Sequence, residues 1–207
     1  MLTSKNVRFL LITFFFLYEL IIYGCVSGGQ DTKFYVLDPI SLESPLTDDI
    51  NQDNPLSIEI VSLRLPQYLE RPQIVTRDEG NRIKLAEIHQ WGGSLQKNIV
   101  RVIAKNLSSL LRTPDVSSYP RSPQSPPDFR IELVVMKFEK DQDGRVRLSA
   151  QLKLSRGKDN SLLSVKILDL ESSILQPNSE MDKTVSAMNI LIGDLSKIIG
   201  KEIISHR

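Results

Sequence analysis

The stretch that decides the fold is residues 63–91, LRLPQYLERPQIVTRDEGNRIKLAEIHQW. Its first half contains Pro66 and Pro72. The proline ring fixes φ at both positions and favours an extended conformation at the residues before them, Leu65 and Arg71. The sequence therefore predicts a rigid corner between two strands.

The second half of this stretch has the pattern of a β-hairpin. Two runs rich in strand-forming residues, 73–76 and 82–86, flank the tetrapeptide Asp-Glu-Gly-Asn at 78–81. Glycine and asparagine tolerate the positive φ angles that tight turns require. We therefore expect two strands joined by a short turn directly after the corner.

An amphipathic helix is predicted after the hairpin. From Ala86 onward apolar residues recur every three or four positions, and this stripe runs from Trp91 to Leu111. Gly92 and Gly93 mark the start of the helix, because glycine disfavours helix interiors. Packing of the stripe on the sheet would place Trp91 in the core at the junction of sheet and helix, and the alternative is an exposed binding residue.

The remaining chain predicts more strands and a second helix. Residues 57–65 and 129–139 are apolar on both faces, which indicates positions inside a sheet. Residues 113–128 contain five prolines and predict a connection without regular structure. The fold class is α+β, a mixed, largely antiparallel sheet with two amphipathic helices packed on one face. Its other elements are strands at 33–37, 146–154 and 162–170 and a helix that begins near Ser179.

Length and charge limit the classes of function. The 207 residues include 26 basic and 25 acidic side chains, and the counts are 24 and 24 without residues 1–24. A neutral chain of this length builds one domain core but lacks the positive surface that binds nucleic acid, so we expect no nucleic-acid partner. A single cysteine excludes an internal disulfide framework.

The N-terminal segment has the layout of a secretory signal. Lys5 and Arg8 precede an apolar run at 9–23, which is shorter than the ~20 residues that a membrane span needs. The run ends at Gly24 and Cys25, and this ending resembles the lipobox of bacterial lipoproteins. In those proteins the signal is cut before the cysteine, which becomes acylated.

Cys25 is therefore the predicted lipidation site. We expect residues 1–24 to be a lipoprotein-type signal peptide, residues 25–32 to be a tether and residues 33–207 to form a single periplasmic α+β domain. The alternative is an uncleaved N-terminal anchor in which Cys25 is unmodified.

Catalytic motifs are missing from the sequence. It contains no nucleophile elbow, no phosphate-binding glycine-rich loop and no paired metal-ligand spacing, and its two histidines are His89 and His206. Carboxylates near the corner are candidates for an acid and base pair, but turn and strand-edge carboxylates are mostly solvated. We expect no enzyme activity, no cofactor and no metal. These carboxylates are Glu70, Asp78, Glu79 and Glu87.

The corner and hairpin carry a family resemblance. The string LPxYLxRPQIVTR at residues 65–77, followed by a short hairpin and by Trp91 before a long amphipathic helix, resembles the ABC-type transport auxiliary lipoproteins. These are the PqiC-like, membrane-integrity-associated lipoproteins of the Gram-negative envelope. The resemblance extends from the lipobox to the last helix, and its distinctive part is the middle third of the chain.

The resemblance implies a function in lipid transport. It predicts a lipoprotein on the periplasmic face of the outer membrane, because Val26 and Ser27 follow Cys25 in place of the aspartate that signals inner-membrane retention. It implies an MCE-domain protein of the same transport system as partner, with this chain as docking component. It leaves the lipid, the direction of transport and a homo-oligomeric state open.

We expect the corner to be the docking surface. Tyr68, Arg71 and Arg77 are its expected main contacts, because tyrosine and arginine dominate interface energetics. In the alternative interpretation, Arg71 and Arg77 hold the hairpin through carboxylates such as Glu70. The candidate interface residues are Leu65, Pro66, Tyr68, Leu69, Arg71, Pro72, Arg77 and Trp91.

Two other functions compete with docking. The first is a lipoprotein that regulates a cell-wall synthase, but such a regulator needs a long tether, and residues 25–32 are short. The second is a carrier that encloses a lipid. It is disfavoured because the predicted helices already cover one face of the sheet.

Overall fold

The structure, a computed structural model, describes residues 31–39, 41, 45–46, 55–118, 125–174 and 181–207. The chain divides into two units, Met1–Asp31 and Thr32–Arg207. The predicted signal, the lipidation site Cys25 and the helix start at Ser179 lie outside the described residues. Among the helices of the described part, none is both long enough and apolar enough to cross a membrane.

The described residues form one sheet of eight strands and two helices. This architecture confirms the predicted α+β class with a mixed, largely antiparallel sheet. The helices are α1 Leu95–Leu110 and α2 Met181–Ser205. The strands are β1 Lys33–Tyr35, β2 Ile58–Arg64, β3 Gln73–Arg77, β4 Ile83–Trp91, β5 Val116–Ser117, β6 Phe129–Lys140, β7 Val146–Arg156 and β8 Leu162–Glu171.

Strand β6 is the centre of the sheet. β7 runs antiparallel to it over its whole length and fills one of its two edges, and β8 pairs with the far side of β7. The other edge of β6 is shared. β2 lies parallel to the first half of β6, and β3 lies parallel to its end, where Thr76 is opposite Lys140. β2 and β3 thus lie one after the other along the same edge of β6, and the corner at residues 65–72 connects them.

The outer strands complete the sheet around this corner. β4 runs antiparallel to β3, which confirms the predicted hairpin, and Gly80 in its turn has a φ of +67°. β1 pairs with the end of β4. β5 pairs only with Ile58 and Glu59 of β2.

The hydrophobic core lies between one face of the sheet and the two helices. On α1 the buried residues recur three and four positions apart from Leu95 to Leu110, and α2 contributes Leu191, Leu195 and Ile199. Both helices therefore pack on the same face, as the sequence predicts. The alternate residues that β7 contributes to this core are Val146, Leu148, Ala150, Leu152 and Leu154.

The strand predicted at 82–86 is wrong in its end. β4 continues as a strand to Trp91 because its last three residues pair with β1. That pairing joins segments far apart in sequence, and such context overrides a local spacing pattern. α1 begins at Leu95, shortly after Gly92 and Gly93, as the two glycines indicate.

Two further predictions need correction. The proline-rich connection contains the strand β5, which lies in a proline-free interval and pairs with β2. The predicted interior position of 57–65 holds only for Ile58 and Glu59, because β5 is two residues long. Beyond it, the side chain of Val61 is 49% exposed.

Gly157, in the turn between β7 and β8, provides a test of this packing. A Cβ at this position would lie 1.7 Å from the carbonyl oxygen of Pro127. We expect Gly157→Ala to lower the free energy of unfolding by roughly 3 kcal/mol, the upper part of the range for overpacking.

Gly80→Ala is the matched control for this experiment. A Cβ at Gly80 meets no atom within 4 Å, so the strain is limited to its positive φ, and a loss of about 1 kcal/mol is expected. Urea unfolding of the two variants measures both losses. Equal losses would contradict the close approach at Gly157.

Candidate docking site

The corner between β2 and β3 is tied to the rest of the domain in its middle and at its far end. Pro66 has φ −65° and ψ 144° and precedes a 3₁₀ turn at Gln67–Leu69. The Leu69 side chain is 2% exposed, so it fixes the middle of the corner in the core. At the far end, the N–H of Trp91 donates to the carbonyl of Pro72 at 2.7 Å. The corner therefore has a defined shape.

An open pocket of about 450 Å³ lies between this corner and the start of α1. We call it the docking pocket. Trp91 is 4% exposed, so it is a core residue at the junction of sheet and helix that also lines the pocket. The predicted interface residues that the pocket brings together are Leu65, Leu69, Arg71, Pro72 and Trp91.

The helical wall of the docking pocket is the first turn of α1. The hydroxyl of Ser94 accepts a hydrogen bond from the N–H of Lys97 at 3.4 Å and so caps the helix. That turn contains no acidic side chain. The first N–H groups of a helix have no partner within it and carry partial positive charge. This wall therefore favours an acidic group in the pocket.

Arg71 adds a full positive charge to the docking pocket. The residue is half-buried, and its Nε is buried without a hydrogen-bond partner among the described residues. Leaving such a donor unsatisfied costs roughly 1–3 kcal/mol. Glu70, the carboxylate in the described lining, is exposed. A carboxylate that enters the pocket would supply the acceptor that Arg71 lacks.

Tyr68 and Arg77 have a partner within the chain. The Tyr68 hydroxyl donates to Oε2 of Glu139 at 2.8 Å. Arg77 donates to Oε1 of Glu139 from Nε at 3.0 Å and from Nη2 at 2.7 Å. Glu139 is fully buried on β6. The carboxylate that holds Arg77 is therefore Glu139 and not the neighbouring Glu70 suggested by the sequence.

These contacts shift the pKa values of both donors. The hydrogen bond to Glu139 raises the pKa of Arg77 above its usual value. Burial, and then the hydrogen bond to Glu139, raises the pKa of Tyr68. Both side chains therefore hold their protons more tightly than they would in water.

A second carboxylate extends this cluster along the β6–β7 hairpin. Asp141 accepts hydrogen bonds from Lys137 at 2.7 Å and from Arg147, and Nε of Arg77 lies 3.8 Å from it. Arg147 also binds the exposed Asp143 and lowers the pKa of that carboxyl. Such partly exposed pairs contribute little stability each, about 0–1 kcal/mol.

Sequence reasoning missed Glu139 and the first turn of α1. A signal for Glu139 existed, because a carboxylate in a strand that is apolar on both faces needs a partner when it is buried. The first turn of α1 gave none, because the glycines before it indicate where the helix begins but not that its free N–H groups line a pocket. Of the other predicted interface residues, Pro66 precedes the 3₁₀ turn and does not line the docking pocket.

The described residues offer little to catalysis. They contain no group of three or more histidine, cysteine, aspartate or glutamate side chains placed to hold a metal ion. The carboxylates that were candidates for acid and base chemistry are exposed. The absence of enzyme activity stays a prediction.

A family model for the ABC-type transport auxiliary lipoprotein component matches residues 35–200. The chain belongs to this family. Membership confirms the resemblance found in residues 65–77 and makes the protein a lipoprotein component that assists ABC-type transport. The matched region contains the corner, the hairpin, all of α1 and most of α2.

Solved structures share the fold of this auxiliary lipoprotein. The crystal structure of an uncharacterized protein has a TM-score of 0.67 at 20% sequence identity and covers 84% of this chain and 99% of that one. Protein XCC0632 from Xanthomonas campestris has a TM-score of 0.65 at 12% identity, with 84% and 97% covered. Likeness at these identities establishes the fold alone. No curated protein matches the chain.

Removal of Arg77 tests its structural role. We expect Arg77→Ala to lower the free energy of unfolding by about 3–5 kcal/mol, because Glu139 is left buried without its cation. Arg82→Ala is the matched control, since the exposed Arg82 lies no closer than 3.8 Å to Asp78 and 4.0 Å to Glu79. Its expected loss is below about 0.5 kcal/mol. If urea unfolding finds both variants as stable as the wild type, Arg77 is not structural.

Proposed function

We propose that this auxiliary lipoprotein is attached to the periplasmic face of the outer membrane and docks an MCE-domain protein of an ABC-type lipid transport system. In this role it helps to maintain the outer-membrane barrier. The observation that carries the proposal is the docking pocket. It gathers on one open surface five of the residues that the sequence marked as interface: Leu65, Leu69, Arg71, Pro72 and Trp91.

The attachment to the membrane rests on Cys25. Acyl chains at this residue contribute about 0.8 kcal/mol per buried CH₂, so two or three of them make the anchor effectively permanent. Seven residues separate Cys25 from Lys33, where β1 begins. Fully extended they span about 25 Å, so the domain stays close to its bilayer. A docking component at the membrane surface fits this short reach better than a regulator that must extend to the cell wall.

The docking itself rests on the chemistry of the pocket. The few residues that dominate interface energetics are enriched in tryptophan, tyrosine and arginine. Arg71 has an unsatisfied Nε, and the exposed Pro72, with the buried Trp91 behind it, provides rigid apolar surface next to it. Tyr68 and Arg77 contribute by holding the corner in place through Glu139. The pocket therefore suits a partner surface that offers a carboxylate flanked by apolar groups.

A pull-down of the full-length protein in detergent tests this function. We expect the wild type to capture an MCE-domain protein and mass spectrometry to find acylated Cys25 in its N-terminal peptide. We expect Arg71→Ala to reduce capture at least about tenfold. Its melting temperature should stay near that of the wild type, because Nε of Arg71 makes no hydrogen bond in the described structure.

The control variant is again Arg82→Ala, which changes the same residue type on the turn of the hairpin and should capture the partner normally. Capture of a peptidoglycan synthase in place of an MCE-domain protein would support the cell-wall regulator. An intact, unmodified N-terminus would contradict the outer-membrane attachment. If Arg71→Ala captured the partner as well as the wild type does, the docking pocket would not be the binding site.

A further inference from the structure

The outer edge of β2 is open beside the docking pocket. β2 pairs with β6 from Ile58 to Arg64, whereas β5 covers only Ile58 and Glu59 on the other side. Residues 60–64 therefore have no neighbouring strand on their second edge within the described part of the chain. An unpaired edge presents a row of backbone N–H and C=O groups to which another strand can bind.

Helix α1 runs beside this edge and makes it the floor of a groove of about 790 Å³. The exposed Val61 of β2 and the side chains of Val100 and Ala104 of α1 give the groove an apolar lining. The side-chain amide of Gln96 donates to the carbonyl of Leu63. That carbonyl thus faces α1, and a side chain occupies the position where the N–H of an added strand would bind.

The charged side chains that line this groove in the described structure are all positive. Arg64 and Lys97 line it, and neither has an ion-pair partner among the described residues. Arg101 lines it as well and lies 3.8 Å from Asp38. The described lining contains no carboxylate. The groove therefore favours an acidic occupant.

The sequence after β5 is a poor candidate for covering this edge. Residues 119–124 include Pro120 and Pro123. Proline has no N–H to donate and is excluded from the interior of a paired strand. This composition disfavours a regular strand, so the edge is suited to a strand from another chain.

We propose that the groove binds an extended acidic segment of the MCE-domain partner, which adds a strand to β2. Strand addition of this kind derives affinity from main-chain hydrogen bonds and specificity from the alternate side chains. Apolar side chains of the segment contact Val61 and Val100, and its carboxylates face Arg64 and Lys97. This inference rests on the docking function proposed above and extends it. The groove adjoins the docking pocket, since Gln96 lines both.

Charge reversal separates this groove from the docking pocket. The double variant Arg64→Glu and Lys97→Glu should reduce capture of the MCE-domain protein by full-length protein in detergent at least about tenfold, because like charges then face each other. The matched control is Lys84→Glu with Lys158→Glu, two exposed lysines outside the groove lining. It makes the same change in net charge and should capture the partner normally.

Amide hydrogen exchange then tests strand addition itself. In the complex with the captured MCE-domain protein, those amides of residues 60–64 that point away from β6 should exchange at least about tenfold more slowly, as expected for amides that gain hydrogen bonds. Slow exchange of these amides already in the free protein would mean that the chain's own residues fill the groove and would overturn the inference. The inference would also be overturned if capture of the partner required Arg71, was unchanged by the charge reversal and left residues 60–64 unprotected from exchange.

A second probe distinguishes failure of the proposed function from failure of the groove as a binding site. If no MCE-domain protein is captured, its assignment as occupant falls, and the groove is tested with a synthetic heptapeptide of alternating glutamate and valine. Slowed exchange at residues 60–64 with this peptide, and none with the matching lysine and valine peptide, would support a site for acidic strands. No protection with either peptide would overturn the groove as well.

Discussion

The buried carboxylate of Glu139 is the contact on which the candidate site depends. Transfer of a carboxylate from water to a protein interior costs several kcal/mol unless a cation and further donors surround it. Here the donors come from three places, Arg77 on β3, Tyr68 in the corner and the Phe138 N–H on β6 itself. Burial of one charge thus holds the corner and two strands together.

This arrangement divides the residues of the motif at 65–77 between two functions. Tyr68 and Arg77 bind Glu139 and are occupied, whereas Arg71 lies between them in sequence and lines the docking pocket with an unsatisfied Nε. The tyrosine and arginines of a short motif therefore serve different purposes. Because Tyr68 and Arg77 already hold the corner rigid, it loses less conformational entropy on binding, and this smaller loss increases affinity.

The sequence predicted well wherever local chemistry decides the structure. The hairpin after the corner follows from its turn residues, and α1 follows from its apolar stripe and the glycines before it. The errors concern contacts between distant segments. The end of β4 is a strand because β1 pairs with it, and the partner of Arg77 is 62 residues away in sequence. The edge of β2 is open within the described part of the chain because β5 is two residues long. Of these contacts only the second leaves a local sign, the carboxylate of Glu139 in a strand that is apolar on both faces.

The central claim is that the corner meets the transport partner, and site-specific photo-crosslinking in the living cell envelope tests it most directly. A photoreactive residue at Glu70, which is exposed and lines the docking pocket, should crosslink to an MCE-domain protein. The same residue at Lys158, in the turn between β7 and β8, should give no such product. A crosslink from Lys158 alone, or to the partner from neither position, would contradict docking at this corner.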